Sequence, residues 1–292
     1  MKCKTVFLPL CLSFLLASCS VGTPESKGSS DQGENEEASS TEDLSSQGAS
    51  KVEMAEINPK FYGPIAHRGY HDETNPGNSM NAFRAAASKG FAIETDVHIT
   101  ADDGLIISHD SLLQGYGNIE SNDFEDIRNN VLLEDGEELP SLEETFAFSK
   151  ETGTPIFLEL KTYAPDEDNP LRLAHAVLSE ARRCEISPKN LLICSFSWEA
   201  ILPFLSSEYA AGLFISNGTN KELIETVLAA EAPTENYPDF VAAGYDVTPK
   251  EECKSYRAKG YKVFSWTLTS QAMLSEQKNI SDGYIFENFL PA

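Results

Sequence analysis

The sequence predicts an α/β protein, a (β/α)8 TIM barrel with an antiparallel β-hairpin return after its second strand. Three observations carry that prediction. From Tyr62 onward, short apolar runs alternate with helix-length segments, the pattern of βα units and a parallel sheet. Nine runs have strand character, and only one pair is joined by a link too short for a parallel crossover. Polar residues gather where the runs end, the place at which such barrels carry their chemistry.

Taken in order, Lys2 and Lys4 precede an apolar run, Val6 to Leu16, that is too short to span a bilayer, so residues 1–18 read as an export signal. The run ends Leu16-Ala17-Ser18-Cys19, which resembles the lipobox of bacterial lipoproteins. That resemblance implies a lipidated Cys19, attachment to a membrane through the lipid anchor, and an extracytoplasmic place in the cell envelope. Two or more acyl chains make such attachment stable, because each buried CH₂ contributes roughly 0.8 kcal/mol. Residues 19–56 are rich in Ser, Gly, Glu and Asp and cannot offset their ordering entropy, so they read as a disordered acidic tether. Thirty-odd flexible residues span about 30–35 Å. Residues 57–292 form the folded body. Past the anchor only Cys184, Cys194 and Cys253 remain, an odd number without C-x-x-C spacing, which argues against a metal site or a disulfide framework. A Cys184–Cys194 pair and buried free thiols both stay open.

The strand candidates are Pro64–His67, Phe91–His98, Leu105–His109, Pro155–Lys161, Leu191–Ser195, Ala211–Ile215, Phe240–Ala243, Lys262–Thr267 and Gly283–Phe286. Helical segments such as Ser79–Gly90, Pro170–Cys184, Lys221–Glu231 and Pro249–Gly260 separate eight of them. Only Ala101-Asp102-Asp103-Gly104 divides the second from the third, so Leu105–His109 returns antiparallel. Eight parallel strands then remain. A doubly wound open sheet is the runner-up, and it lacks a G-x-G-x-x-G after the first strand.

The charge is −24 over 292 residues, of which −19 lies in the body, and this excludes a broad nucleic-acid-binding face. A single small phosphate ester in a locally positive mouth remains compatible. The first strand ends His67-Arg68-Gly69; the second carries Glu94 and Asp96, which at a spacing of two share a face. Pairing Thr100 with Leu105 places His109 opposite Asp96, and a tighter turn places it opposite His98. The run Leu158-Glu159-Leu160-Lys161 again spaces two polar groups by two. Three carboxylates favour a hard divalent cation, Ca²⁺ or Mg²⁺, over zinc. Two imidazoles supply an acid and a base near neutral pH, and Arg and Lys hold phosphate oxygens. Together they describe cation-assisted displacement at a phosphodiester.

These residues, His67-Arg68-Gly69, Glu94-x-Asp96, His109-Asp110 and Leu158-Glu159-Leu160-Lys161 in that order, resemble the glycerophosphodiester phosphodiesterase family, and the similarity runs from about Ile65 to Phe289. It includes Asn81-Ala82-Phe83, Pro140-Ser141-Leu142-Glu143-Glu144, Ser195-Phe196, Trp266-Thr267 and Asp282-Gly283-Tyr284-Ile285. The resemblance implies Glu94, Asp96 and Glu159 as ligands of one divalent cation and His67 and His109 as the acid/base pair. It implies Arg68 and Lys161 as phosphate-binding groups and Trp266 as a wall of the glycerol pocket. Where the family has Pro-Glu-Asn-Thr or Pro-Glu-Asn-Ser, this chain has Pro76-Gly77-Asn78-Ser79. Either Glu73 of the same loop replaces the missing glutamate, or the site is positioned less firmly.

The resulting expectation is a hydrolase that splits a small glycerophosphodiester into an alcohol and glycerol 3-phosphate, with no obligate protein partner. A related phospholipase acting on lysophospholipids or phosphoinositides is one rival, although the insert from His109 to Pro140 shows no obvious apolar lid. A non-catalytic glycerophosphodiester-binding lipoprotein is another. His98 shares the favoured parity and reads as a rim residue, His71 as a solvated loop histidine and His175 as a surface residue. Tyr116, Phe196 and Phe286 cannot be told from packing residues.

Overall fold

Eight parallel strands close into a ring in the computed structural model, which describes residues 56–216 and 237–292. In chain order the strands are β1 (Pro64–Ala66), β2 (Ala92–Ile99), β3 (Leu105–Ile107), β4 (Leu112–Leu113), β5 (Gly117–Asn118) and β6 (Ile156–Leu160). They continue with β7 (Leu191–Ser195), β8 (Ala210–Ile215), β9 (Phe240–Gly244), β10 (Lys262–Leu268) and β11 (Gly283–Phe286). The ring runs β1, β2, β6, β7, β8, β9, β10, β11, and the last closes on the first through Ile65 beside Ile285. All nine strands expected from the sequence are present, and β3 alone hangs antiparallel on β2. The expected export signal of residues 1–18, Cys19, nearly all of the tether and the helix Lys221–Glu231 lie outside the described residues.

The helices among the described residues are α1 (Met80–Ser88), α2 (Phe124–Asn130), α3 (Leu142–Thr152), α4 (Asn169–Arg183), α5 (Trp198–Ile201), α6 (Lys250–Ala258) and α7 (Gln271–Gln277). None is long and apolar enough to cross a membrane. The Pro140-Ser141-Leu142-Glu143-Glu144 motif is structural. Ser141 Oγ accepts from Glu144 N, and the Glu144 carboxylate accepts from Ser141 N at 2.7 Å, a capping box that starts α3.

Alternation along the strands decides what faces inward. The lower interior is apolar: Phe157, Phe240 and Phe264 meet edge to face with centroids 5.3–5.5 Å apart, and Phe61 plugs the floor. A Cβ on Gly283 would stand 2.0 Å from Phe61 O, so only glycine lets that plug seat. The same faces continue upward from Ala92 to Glu94 and Asp96, and from Phe157 to Glu159. The barrel is therefore greasy below and charged at the mouth.

The β2–β3 register is Ile99 to Leu105, His98 to Ile106 and Val97 to Ile107, one residue away from the expected Thr100–Leu105 pairing. The turn is wider because it is knotted by side chains. Gly104 N donates to Thr100 Oγ1 at 2.8 Å, and Asp102 Oδ1 accepts from Thr100 Oγ1 and from Phe124 N. Strict alternation would then turn His109 away from Asp96, but β3 stops at Ile107 and the chain bends at His109, returning its ring to the mouth. Cys184, Cys194 and Cys253 are free thiols, with Cys194 buried among the residues that fill the barrel.

Candidate active site

The loop after β1 sets the first histidine. Arg68 has φ 53°, which aims its backbone N–H at Glu94 Oε2, 3.0 Å away, while its carbonyl accepts from Asn78 N. Gly69 follows at φ 80°, and a Cβ there would meet the Ala82 backbone at 2.7 Å. This is why the His-Arg-Gly tripeptide packs onto the Asn81-Ala82-Phe83 turn of α1.

Glu94, Asp96 and Glu159 are buried together, and one carboxylate oxygen of each lies within 4.8 Å of the others. Two cations reach them. Lys161 Nζ stands 2.9 Å from Glu159 Oε1 and 3.1 Å from Asp96 Oδ1; Arg68 Nε stands 3.7 Å from Asp96 Oδ2. Burial, then the Asp96 and Glu159 charges, push Glu94 well above the usual carboxylate range. Burial and Asp96 push Glu159 up to about 8. Asp96 goes the other way, because Lys161, the Asn78 amide, His109 and Arg68 together outweigh its burial. Lys161 itself is raised, its two carboxylates overcoming its own burial.

Fully ionised, the three clustered carboxylates would outnumber the two cations facing them, and without a further cation Glu94 and Glu159 hold on to their protons. Asp96 Oδ1 is buried and, although within ion-pair range of Lys161, makes no hydrogen bond of proper geometry. An all-oxygen set with an orphaned acceptor fits a hard divalent cation.

His67 and His109 stand on this mouth with Arg68, Lys161 and Trp266, around a cavity of about 330 Å³. His67 Nε2 is 3.9 Å from Glu94 Oε2, and its Nδ1 is 2.6 Å from Glu287 Oε2. His109 Nδ1 is 2.8 Å from Asp110 Oδ1. A carboxylate only accepts, so each Nδ1 carries a proton, and Nε2 holds a lone pair in the neutral ring or a second proton in the imidazolium. Burial, followed by Lys161, lowers the His109 pKa, although Asp96 opposes it. Trp266 closes the opposite wall, edge-on to Phe214 and Phe196 at 5.1 and 5.7 Å, its Nε1 donating to Ala242 O.

Every site residue expected from the sequence is therefore at one mouth, apart from Cys19, which lies outside the described residues. Two expectations need correction, and of the two alternatives for the missing loop glutamate the one with Glu73 falls. His98 is not on the rim: it is buried, with Nδ1 2.6 Å from Glu120 Oε1 and Nε2 3.3 Å from His109 O. His71 is half-buried beside Glu287 rather than solvated. Glu73 is exposed, and the carboxylate set against the histidines is that of Glu287, 220 positions from His67. His175 is exposed as expected. Phe196 lines the cavity, whereas Tyr116 packs within the insert and Phe286 against Phe91.

Sequence reasoning also missed Asn78, which bridges Thr95 Oγ1 and Asp96 Oδ2 at 2.7 and 2.9 Å from a left-handed φ of 61°. Asparagine is among the few residues that adopt that conformation readily, and this was the available signal.

Residues 67–284 match the model of the Glycerophosphoryl diester phosphodiesterase family. The "Probable glycerophosphodiester phosphodiesterase 2" of Mycobacterium tuberculosis is 40% identical over 85 residues, covering 27% of this chain and 32% of that protein. Glycerophosphodiester phosphodiesterase 1 of Bos taurus is 32% identical over 151 residues, covering 47% of this chain and 43% of that protein. The chain thus spans less than half the length of either relative. Among solved structures, a phosphodiesterase of Oleispira antarctica in complex with the product sn-glycerol-3-phosphate superposes with a TM-score of 0.64 at 21% identity, over 77% of this chain and 92% of that one. Because the family match runs from the first histidine of the mouth to the last strand of the barrel, the chain belongs to the glycerophosphoryl diester phosphodiesterase family.

Proposed function

We propose that this protein hydrolyses glycerophosphodiesters to an alcohol and glycerol 3-phosphate, the product held by its Oleispira antarctica structural relative. One observation carries the reading. Side by side at the mouth are an orphaned buried acceptor, Asp96 Oδ1, and an orphaned buried donor, Arg68 Nε. A phosphodiester accompanied by a divalent cation satisfies both.

Arg68 and Lys161 hold the non-bridging oxygens of the phosphate. The faces of Trp266, Phe214 and Phe196 shape a pocket for the glycerol backbone. Glu94, Asp96 and Glu159 would hold one Ca²⁺ or Mg²⁺, which when bound draws charge from a phosphoryl oxygen. His67 and His109 share the two proton transfers through Nε2: one ring, entering neutral, takes a proton from the attacking water as the new P–O bond forms, and the other, entering as the imidazolium, gives its Nε2 proton to the departing alkoxide as the old bond breaks. Ionised Glu287 fixes the His67 tautomer, being held well below the usual carboxylate range by its bond to His67 and by His71 beside it. The deciding assay is release of glycerol 3-phosphate from glycerophosphocholine, with His67→Ala and His109→Ala each expected to fall by about 10²–10⁴. Full activity in His67→Ala overturns the reading.

The Cys19 anchor belongs to this proposal: it places the barrel at an envelope surface where phospholipid breakdown products arise. Cys19→Ala should release the protein from the detergent phase in phase partitioning; unchanged partitioning rejects the anchor.

A second substrate class has one observation in its favour. Leu112 and Leu132, 67% and 61% exposed, flank a groove of about 620 Å³ that starts at Arg68 and His109. Such a surface accepts an acyl chain, so lysophosphatidylcholine is the substrate to assay beside glycerophosphocholine. Leu112→Ser with Leu132→Ser should depress only the lipid reaction.

A further inference from the structure

On the side of the His67 ring away from the carboxylates lies a second constellation with different donor chemistry. His67 Nδ1 is 2.6 Å and His71 Nε2 3.5 Å from the same oxygen of Glu287, and one donor atom from each of the three residues lies within 4.8 Å of the others. The two imidazoles are not stacked, their planes meeting at 64° with centroids 6.5 Å apart. His71 Nε2 is buried and makes no hydrogen bond; its contact with Glu287 has the distance of an ion pair without the geometry of a bond. The cluster borders a hollow of about 400 Å³ that admits solvent past Asp72 and Glu73.

We infer that His67, His71 and Glu287 form a second metal site, selective for Zn²⁺ over Ca²⁺ or Mg²⁺, whose occupation switches off the proposed hydrolysis. Two imidazole nitrogens and one carboxylate are a borderline ion's ligands, as the oxygen-only set beside Lys161 is a hard ion's. Tetrahedral Zn²⁺ with bonds of about 2.0–2.2 Å spaces its donors roughly 3.4 Å apart. The His71–Glu287 pair already has that spacing, and the His67–Glu287 pair needs to open by less than about 1 Å. A water completes the fourth position.

The inhibitory part rests on the proposed role of His67. In the free protein Glu287 keeps the proton on Nδ1, and Nε2 offers its lone pair to the mouth. Zn²⁺ on Nδ1 uses that nitrogen's lone pair, so the single proton of the neutral ring moves to Nε2. The ring then has no lone pair for the mouth and is anchored through the metal to His71 and Glu287.

The test titrates Zn²⁺ into the full chain held in excess Mg²⁺, by calorimetry, with Co²⁺ as a spectroscopic stand-in whose visible bands report nitrogen ligation. One Zn²⁺ per chain is expected, retained in Glu94→Gln and weakened at least about ten-fold in His71→Ala. Turnover of glycerophosphocholine should be blocked by Zn²⁺ in the parent protein and resist it in His71→Ala. Unchanged Zn²⁺ affinity in His71→Ala, or loss of binding in Glu94→Gln, overturns the site. Zn²⁺ bound at His71 with turnover undiminished overturns the inhibition. If the protein turns over no glycerophosphodiester, the proposed hydrolysis fails and the binding measurements still decide the site.

Discussion

Glu287 Oε2 lies 2.6 Å from His67 Nδ1, joining the residue after the last barrel strand to the residue after the first. The bond crosses the seam at which β1 and β11 close the ring, so closure of the barrel and orientation of the histidine are one event. Glu287→Gln keeps an acceptor but removes the charge that stabilises a protonated ring. Its kcat should fall about 10–100-fold with KM little changed, the signature of a group acting through another. A rise in KM alone would place Glu287 in substrate binding instead.

The buried carboxylates make cation binding pH-dependent. In the cation-free protein Glu159 holds its proton up to about 8, against 4.5 when unfolded. Its folded pKa is raised, so the folded state binds more protons between those values, and stability falls as pH rises through that window. A cation must displace that proton and removes the repulsion that raised the pKa. The increase in Tm on adding Ca²⁺ or Mg²⁺ should therefore be small at pH 5 and large at pH 8, and EDTA should abolish both the increase and turnover. An increase independent of pH would exclude Glu159 as a ligand.

Gly69 is the residue whose replacement most directly couples stability to the site. At φ 80°, with Ala82 backbone 2.7 Å from any Cβ, Gly69→Ala is strained and crowded together. About 2–4 kcal/mol of unfolding free energy should be lost in urea titration. Remaining folded protein should show reduced kcat, because Arg68 N can no longer hold Glu94. Gly136, with φ 85° and nothing within 4 Å of a Cβ, serves as the control for left-handed strain without crowding.

The fold was legible because its signals are local: strand runs, helix-length spacers, and one link too short to cross over. Glu94, Asp96, Glu159 and Lys161 were legible for the same reason, since alternation places them inward wherever the strands pair. Glu287 was hidden because its partner lies 220 positions away, and the chain end offers no periodicity to orient it. The β2–β3 register was misread because a Thr100–Asp102 side-chain knot, not the backbone alone, sets the turn. His98 was misplaced because its burial depends on the insert bearing Glu120, whose fold rests on tertiary packing of Ile106, Leu113, Ile119, Ile127 and Leu139.

That insert supplies the last prediction. His98 clamps it from β2: Nδ1 bonds Glu120, Nε2 meets the carbonyl of His109, and the other Glu120 oxygen accepts from Ser111 Oγ. Both side chains are buried, so His98→Ala strands a carboxylate and should cost about 1–3 kcal/mol while loosening the loop that carries His109. Glu120→Gln should do less, keeping the acceptor for His98. Burial raises the Glu120 pKa, but its bonds from His98 and Ser111 bring it below the usual value. With a depressed folded pKa, its contribution is present above about 4.5 and is lost as pH falls through the folded value. Chemical denaturation should therefore show parent and Glu120→Gln diverging at neutral pH and converging in acid. A difference that is constant with pH would mean that the clamp works without charge.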